Sequence, residues 1–144
     1  MTNKTAALFL KVNGLGTIIV GFLLALVAFP PLAAPGIAMI DFVDWPVDGA
    51  VDLDRISRTL SAVSGGLTAG LGACFLFLVA PLVERGDPLA RSGGALTLRI
   101  WYGIDSAGSI AAGAPLNAVT NTLFLMLLLV PLLLAGKRVP EASG

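Results

Sequence analysis

The sequence predicts an all-α integral membrane protein, a bundle of four helices, and three observations carry that expectation. Of 144 residues, 56% are hydrophobic and only 12% charged, with a mean hydropathy of +0.91. A soluble domain carries about 25% charged residues, so this chain has too little polar surface to cover a globule in water, and lipid is its expected solvent. Long uncharged stretches also recur, each near the ~20 residues that a helix needs to cross ~30 Å of hydrocarbon. Finally, most charges gather between those stretches, basic in some intervals and acidic in one.

The first helix is expected over residues 5–29, an uncharged run from 12 to 29 extended back across Lys11. It exceeds the apolar core of a signal peptide, and Pro30, Pro31 and Pro35 crowd the place where cleavage would occur, so it reads as retained. Residues 30–56 read as an outer acidic loop. Its "IAMIDFVDWPVDGAVDLD" mixes apolar residues with aspartates, as a segment lying on a membrane interface does, and Trp45 suits an interfacial anchor. Asp48, Asp52 and Asp54 lack the spacing and the distal glutamate of a calcium loop. Asp52 or Asp54 instead caps a second helix, over residues 57–82, with Asp54 and Arg58 as an i,i+4 ion pair.

Residues 106–136 carry no charge, but Gly113-Ala114-Pro115 interrupts them. Glycine followed by proline marks a break, giving a third helix over 95–112 and a fourth over 116–135 in a tight hairpin. "LFLMLLLVPLLL" faces lipid or is fully buried, and Pro131 inside it is tolerated with a kink. The whole chain, 1–144, is a single membrane domain. Lys4, Lys11, Arg85, Arg91, Lys137 and Arg138 oppose Asp41, Asp44, Asp48, Asp52 and Asp54. Positive charge stays inside, so both termini and the short basic loop holding Arg85 and Arg91 are expected in the cytoplasm.

Composition also excludes. Zero net charge gives no electrostatic case for nucleic acid as a partner. With no histidine, there is no His-ligated haem, ordinary zinc site or Ser-His-Asp triad. The single cysteine, Cys74, forms no internal disulfide and reads as a small buried apolar residue. No catalytic residue, cofactor or metal is expected.

Small residues recur at helical spacing. Ala62, Gly66, Gly70 and Ala73 form one row of the second helix, with Gly65, Ala69 and Gly72 beside it. Gly103, Ala107 and Ala111 repeat the pattern in the third, and Gly14 and Gly21 share one side of the first. Such rows let membrane helices approach closely, within a bundle or in a homodimer.

One carboxylate stands inside "WYGIDSAGSIAAGAPLN". Counted from residue 95, Asp105 lies about 15 Å along its helix, near the bilayer centre. A charge there costs about 2.5–3.5 kcal/mol, so it faces the bundle interior, pairs or is protonated. Counting outward from the Pro115 turn sets Ser109 level with Asn121, so Asp105, Ser109, Asn117 and Asn121 are expected as one polar cluster. Lys11, Asn13 and Arg99 are secondary polar positions near the cytoplasmic ends. The cations snorkel, or Lys11 reaches Asp105. Two readings of the cluster stand side by side. It is interhelical glue, at about 0.6–2 kcal/mol per bond, or it is a titrating or ligand-binding site.

"RTLSAVSGGLTAGLG" and "WYGIDSAGSIAAGAPLN" resemble the small four-helix bacterial inner-membrane proteins of unassigned function, over roughly the last 90 residues. That resemblance implies a multi-pass protein of a bacterial inner membrane and brings no activity with it. Small multidrug transporters share the size and helix count, but they carry a glutamate inside the first helix, where this chain has Lys11 and Asn13. The expectation is therefore a non-enzymatic protein of the lipid bilayer that associates with itself or with another membrane protein. The alternative is a small proton-linked or polar-ligand transporter working through Asp105.

Overall fold

A computed structural model describes residues 1–44 and 46–136; Trp45, Lys137 and Arg138, invoked above as anchor and tail cations, lie outside the described residues. The chain is all-helical, with no strand among the described residues. Its elements are α1 (Asn3–Leu26), α2 (Ala34–Val43), α3 (Arg55–Cys74), α4 (Ala80–Glu84), α5 (Pro88–Ala111) and α6 (Pro115–Leu134), with a π turn (Phe75–Val79) joining α3 to α4. Three rods, Asn3–Leu26, Arg55–Glu84 and Pro115–Leu134, are long and apolar enough to cross a membrane. α5 matches α1 in length at 24 residues, about 36 Å, but its polar residues keep it out of that set.

Capping chemistry sets the helix ends, and in two places moves them from where hydropathy puts them. α1 stops at Leu26 rather than near 29 because Pro30 and Pro31 forbid continuation, and Phe29 ahead of them is extended. α5 begins at Pro88 rather than near 95. Asp87 Oδ1 accepts the Leu89 and Ala90 N–H groups at 2.7 and 3.2 Å, with proline at the first helical position. Arg91 therefore sits on a helix and not in a loop. It donates from Nε to the Leu132 carbonyl and from Nη1 to the Gly136 carbonyl, each at 3.3 Å, covering free acceptors where α6 ends.

Asp54 caps α3, accepting the Ser57 N–H at 2.7 Å, and Ser57 side-chain and backbone hydrogen bonds hold its carboxyl below the usual carboxylate range. The expected Asp54–Arg58 pair does not form. Arg58 turns to the end of α1, donating to the Val27 carbonyl from Nη1 and to the Leu53 carbonyl from Nε, both at 3.0 Å. Carbonyls at a helix C-terminus lack donors and attract a cation, so this contact displaces an exposed i,i+4 pair of little value.

The outer acidic stretch is not all loop. α2 folds back on α1, where Gly36 lies so close to the Leu23 carbonyl and Val27 that a side chain has no room. Asp41 is buried and accepts the Gly49 N–H at 3.2 Å, closing the segment on itself.

α1 and α3 pack backbone to backbone through glycines spaced seven apart on each helix. A Cβ at Gly72 would meet the Gly14 carbonyl oxygen at 2.6 Å, and Gly21 and Gly65 are opposed in the same way. The seam uses the row Gly65, Ala69, Gly72. Gly66 and Gly70 face open space, as do Gly103 and Gly108 on α5. Cys74, expected buried, is exposed beside Phe77, which is 74% exposed. A thiol and a phenyl ring presented outward suit a lipid-facing surface.

The apolar core gathers at one end, here called the base, where α1 starts and α6 stops. Leu10, Phe75, Val79, Val83, Leu98, Leu128 and Leu132 meet there and are almost wholly buried. Two prolines inside the rods are accommodated near this level. Pro131 has no N–H for the Leu127 carbonyl, and Asn13 Nδ2 from α1 donates to that carbonyl at 3.2 Å, alongside a 2.8 Å bond to Phe9 O. Pro81 follows the π turn, whose wider loop carries the carbonyls past a residue unable to donate.

Candidate functional site: a polar crevice

At the end opposite the base the rods part. α3 stays on α1 and α6 stays on α5, but α3 and α5 share at most a marginal contact. The gap is a crevice of about 280 Å³, floored by Val20 and Leu24 of α1 and bounded by Met39 and Ile40 of α2. A second cavity of about 310 Å³ adjoins it, and Ser64, Thr68, Trp101, Asp105 and Phe124 line both.

Asp105 lies about 25 Å along α5 and about 9 Å from its end. The expected count of about 15 Å from the helix start is too short, because α5 starts earlier than hydropathy suggests. The hairpin that positions it is tight, as expected: α5 ends at Ala111, Gly113 adopts a positive φ of 84°, and Pro115 opens α6. Only glycine takes that backbone without strain.

Three of the four expected cluster residues form one network. Asn117 Nδ2 donates to Ser109 Oγ at 2.7 Å and to Asp105 Oδ1 at 3.3 Å. Ser109 Oγ donates to the Asp105 carbonyl at 2.8 Å and lies 3.2 Å from Oδ1. Asn121 stands apart, buried, with Nδ2 3.4 Å from Ser106 Oγ, although it lines the same crevice. Thus Asn117, not Asn121, is level with Ser109, one helical turn from the expected register. Both recorded side-chain contacts of the Asp105 carboxylate fall on Oδ1, and among the described residues Oδ2 accepts nothing. Two rings complete the inner wall, Trp101 and Phe124, edge to face with centroids 6.0 Å apart.

The secondary polar positions lie elsewhere. Lys11 does not reach Asp105 but pairs with Glu84 at 3.0 Å, each side chain about two-fifths exposed. Asn13 serves the Pro131 break, and Arg99 is exposed and lines a separate cavity near the base. Asp105 is the one ionisable side chain among the described residues lining either crevice cavity. No group of three His, Cys, Asp or Glu side chains capable of holding a metal occurs among the described residues.

Sequence reasoning missed the α3 wall. Its signal is the run Ser57, Ser61, Ser64, Thr68, spaced four, three and four, which puts one polar stripe on one helix face. Tyr102 is a further polar contact across the hairpin, its hydroxyl 3.0 Å from Thr122 Oγ1. Compared with family models, curated proteins and solved structures, the chain matches none of them.

Proposed function

We propose that the protein is a non-enzymatic, four-span component of a bacterial inner membrane whose crevice binds a small ligand carrying a cationic group, as a carrier or receptor does. The observation that carries this reading is an acid without a counterion. Asp105 borders an open crevice, one carboxylate oxygen has no donor, and no lysine or arginine among the described residues lines the site. Charge at membrane depth needs a partner or a proton. Trp101 and Phe124 add ring faces, each contributing about 0.5–2 kcal/mol to a desolvated cation, while Asn117, Asn121, Thr120, Ser64 and Thr68 offer hydrogen bonds. Nothing in the crevice pairs a nucleophile with a base, so binding fits the residues better than turnover does.

In this reading α5 crosses the membrane beside the three apolar rods, and both termini face the cytoplasm. The base carries Lys4, Lys11, Arg85 and Arg91, whereas Asp41, Asp44, Asp48, Asp52 and Asp54 sit toward the open end, in accord with the positive-inside rule.

The test is binding of benzyltrimethylammonium to the purified protein, read from Trp101 fluorescence in a Trp45→Phe background, with the neutral carbon isostere neopentylbenzene as control. Saturable binding of the cation, weakened about tenfold or more by Asp105→Asn, is expected. Equal binding of the isostere, or an unaffected Asp105→Asn variant, would overturn the reading.

A second reading, self-association or an accessory role, is favoured by the outward row Gly66 and Gly70 on α3, which the fold leaves unused. Native mass spectrometry of gently extracted protein separates the two. A homodimer lost on Gly70→Leu, or a stable foreign subunit, supports assembly, and a monomer supports the crevice.

A further inference from the structure

Among the described residues, two guanidinium groups on the first half of α5 have no carboxylate partner. Among the described residues the one ion pair is Lys11–Glu84. Arg91 spends Nε and Nη1 on the Leu132 and Gly136 carbonyls, and Arg99 is exposed with no recorded acceptor. The adjacent acid, Asp87, is occupied through Oδ1 in capping α5. Arg91, Ala95 and Arg99 share one helix face, with the arginines about 12 Å apart along the axis. Both side chains line the same space between α5 and α6. A cavity of about 340 Å³ lies there, bounded by Ser92 and Ala95 on α5 and by Leu132 and Leu133 on α6.

We infer that this cavity holds the headgroup phosphate of an anionic phospholipid, clamped between Arg91 and Arg99. Arg91 is already fixed by two carbonyls and so presents its remaining N–H groups without further ordering. Guanidinium groups match phosphate oxygens in geometry as well as charge. The α6 side of the cavity is apolar. Its Leu133 is more than half exposed, as are Leu96 and Ile100, which adjoin Ala95 and Arg99 in the α5 sequence. That surface suits acyl chains and has no use for a free phosphate ion. Basic pockets between membrane helices recognise anionic headgroups on this principle. The inference rests on α5 lying in the bilayer and is independent of what the crevice binds.

The test is native mass spectrometry of protein reconstituted in bilayers of equal phosphatidylglycerol and phosphatidylethanolamine and then released. Retention of one phosphatidylglycerol per chain, preferred about tenfold over phosphatidylethanolamine, is expected. Arg99→Gln abolishes the preference and Arg99→Lys keeps part of it. Arg99 makes no recorded hydrogen bond, so these variants leave the fold intact, which far-ultraviolet circular dichroism verifies. Equal retention of the two lipids, or unchanged preference in Arg99→Gln, overturns the inference. A thermal shift from inorganic phosphate in detergent as large as that from phosphatidylglycerol also overturns it, because it assigns the site to a soluble anion.

Discussion

At the base, α1, α4, α5 and α6 close on leucine, valine and phenylalanine side chains that are almost wholly buried. About 10 Å farther along α5, from Leu98 to Asp105, α3 and α5 separate, and the lining between them adds serine, threonine, one aspartate and the α6 asparagines to apolar side chains. The two ends differ in what holds them. Lipid is as apolar as leucine, so fit rather than burial drives membrane helices together. Where large side chains interlock, or glycines let backbones touch, the rods stay joined. Where small polar side chains face each other across a gap, no such fit exists. In the proposed reading the base is the scaffold and the open end the region that takes a ligand.

The sharpest way to break this comparison is the glycine seam. Gly65→Leu drives a side chain into the α1 backbone at Gly21 and Ala25, at or above the ~1–3 kcal/mol typical of overpacking, and folded protein should be lost on extraction. Gly66→Leu, one residue away and facing open space, should change stability by no more than about 0.5 kcal/mol. Size-exclusion chromatography in detergent with a heat step reads both.

Next in size is the proline break at the base. Asn13→Leu leaves the Leu127 carbonyl without a donor, at an expected cost of about 1–2 kcal/mol. Pro131→Ala restores an N–H to that carbonyl, so Asn13→Leu should cost much less in that background. A double-mutant cycle in a reversible unfolding assay measures the coupling, and additive effects would remove Asn13 from this role.

At the open end the expected stability effects are smaller. Asn117→Ala cuts the hydrogen bonds to Asp105 and Ser109, for about 0.6–1.7 kcal/mol by membrane precedent, while loosening cation binding through a less fixed carboxylate. Smallest is the cap of α3. Hydrogen bonds from Ser57 lower the Asp54 pKa in the folded state, so its contribution is present above the ordinary aspartate range and is lost as pH falls toward the lowered value. Thermal scans from neutral pH downward should fall slightly less steeply for Asp54→Asn than for the parent.

Much of the base was legible because its signals are local. Uncharged runs give the rods, and the run through Pro131 and the Gly113–Pro115 hairpin were readable from residue type. The start of α5 was misread because Arg91, Ser92, Gly93 and Gly94 look like a loop to hydropathy, although Asp87-Pro88 is a capping signal in plain view. α2 was hidden by the aspartates around it. In the crevice, Asp105, Ser109 and Asn117 were found because polar side chains stand out in an otherwise apolar hairpin, although counting from its turn set Ser109 level with Asn121 instead of Asn117. The partners of Lys11 and Arg58 were not, because each is set by another helix many residues away. Nor does any run of residues state that α3 and α5 will part.

The most direct measurement is thiol accessibility along the Arg55–Glu84 rod, in a Cys74→Ala background in membrane vesicles. Thr68→Cys, on the crevice wall, should react rapidly with a small water-soluble maleimide, and Val79→Cys, in the base, should resist it. Benzyltrimethylammonium should slow the reaction at position 68 in the parent and leave it unchanged in the Asp105→Asn variant. Equal protection of positions 68 and 79 would contradict an open crevice, and equal slowing with and without the Asp105 carboxylate would contradict its role in holding the cation.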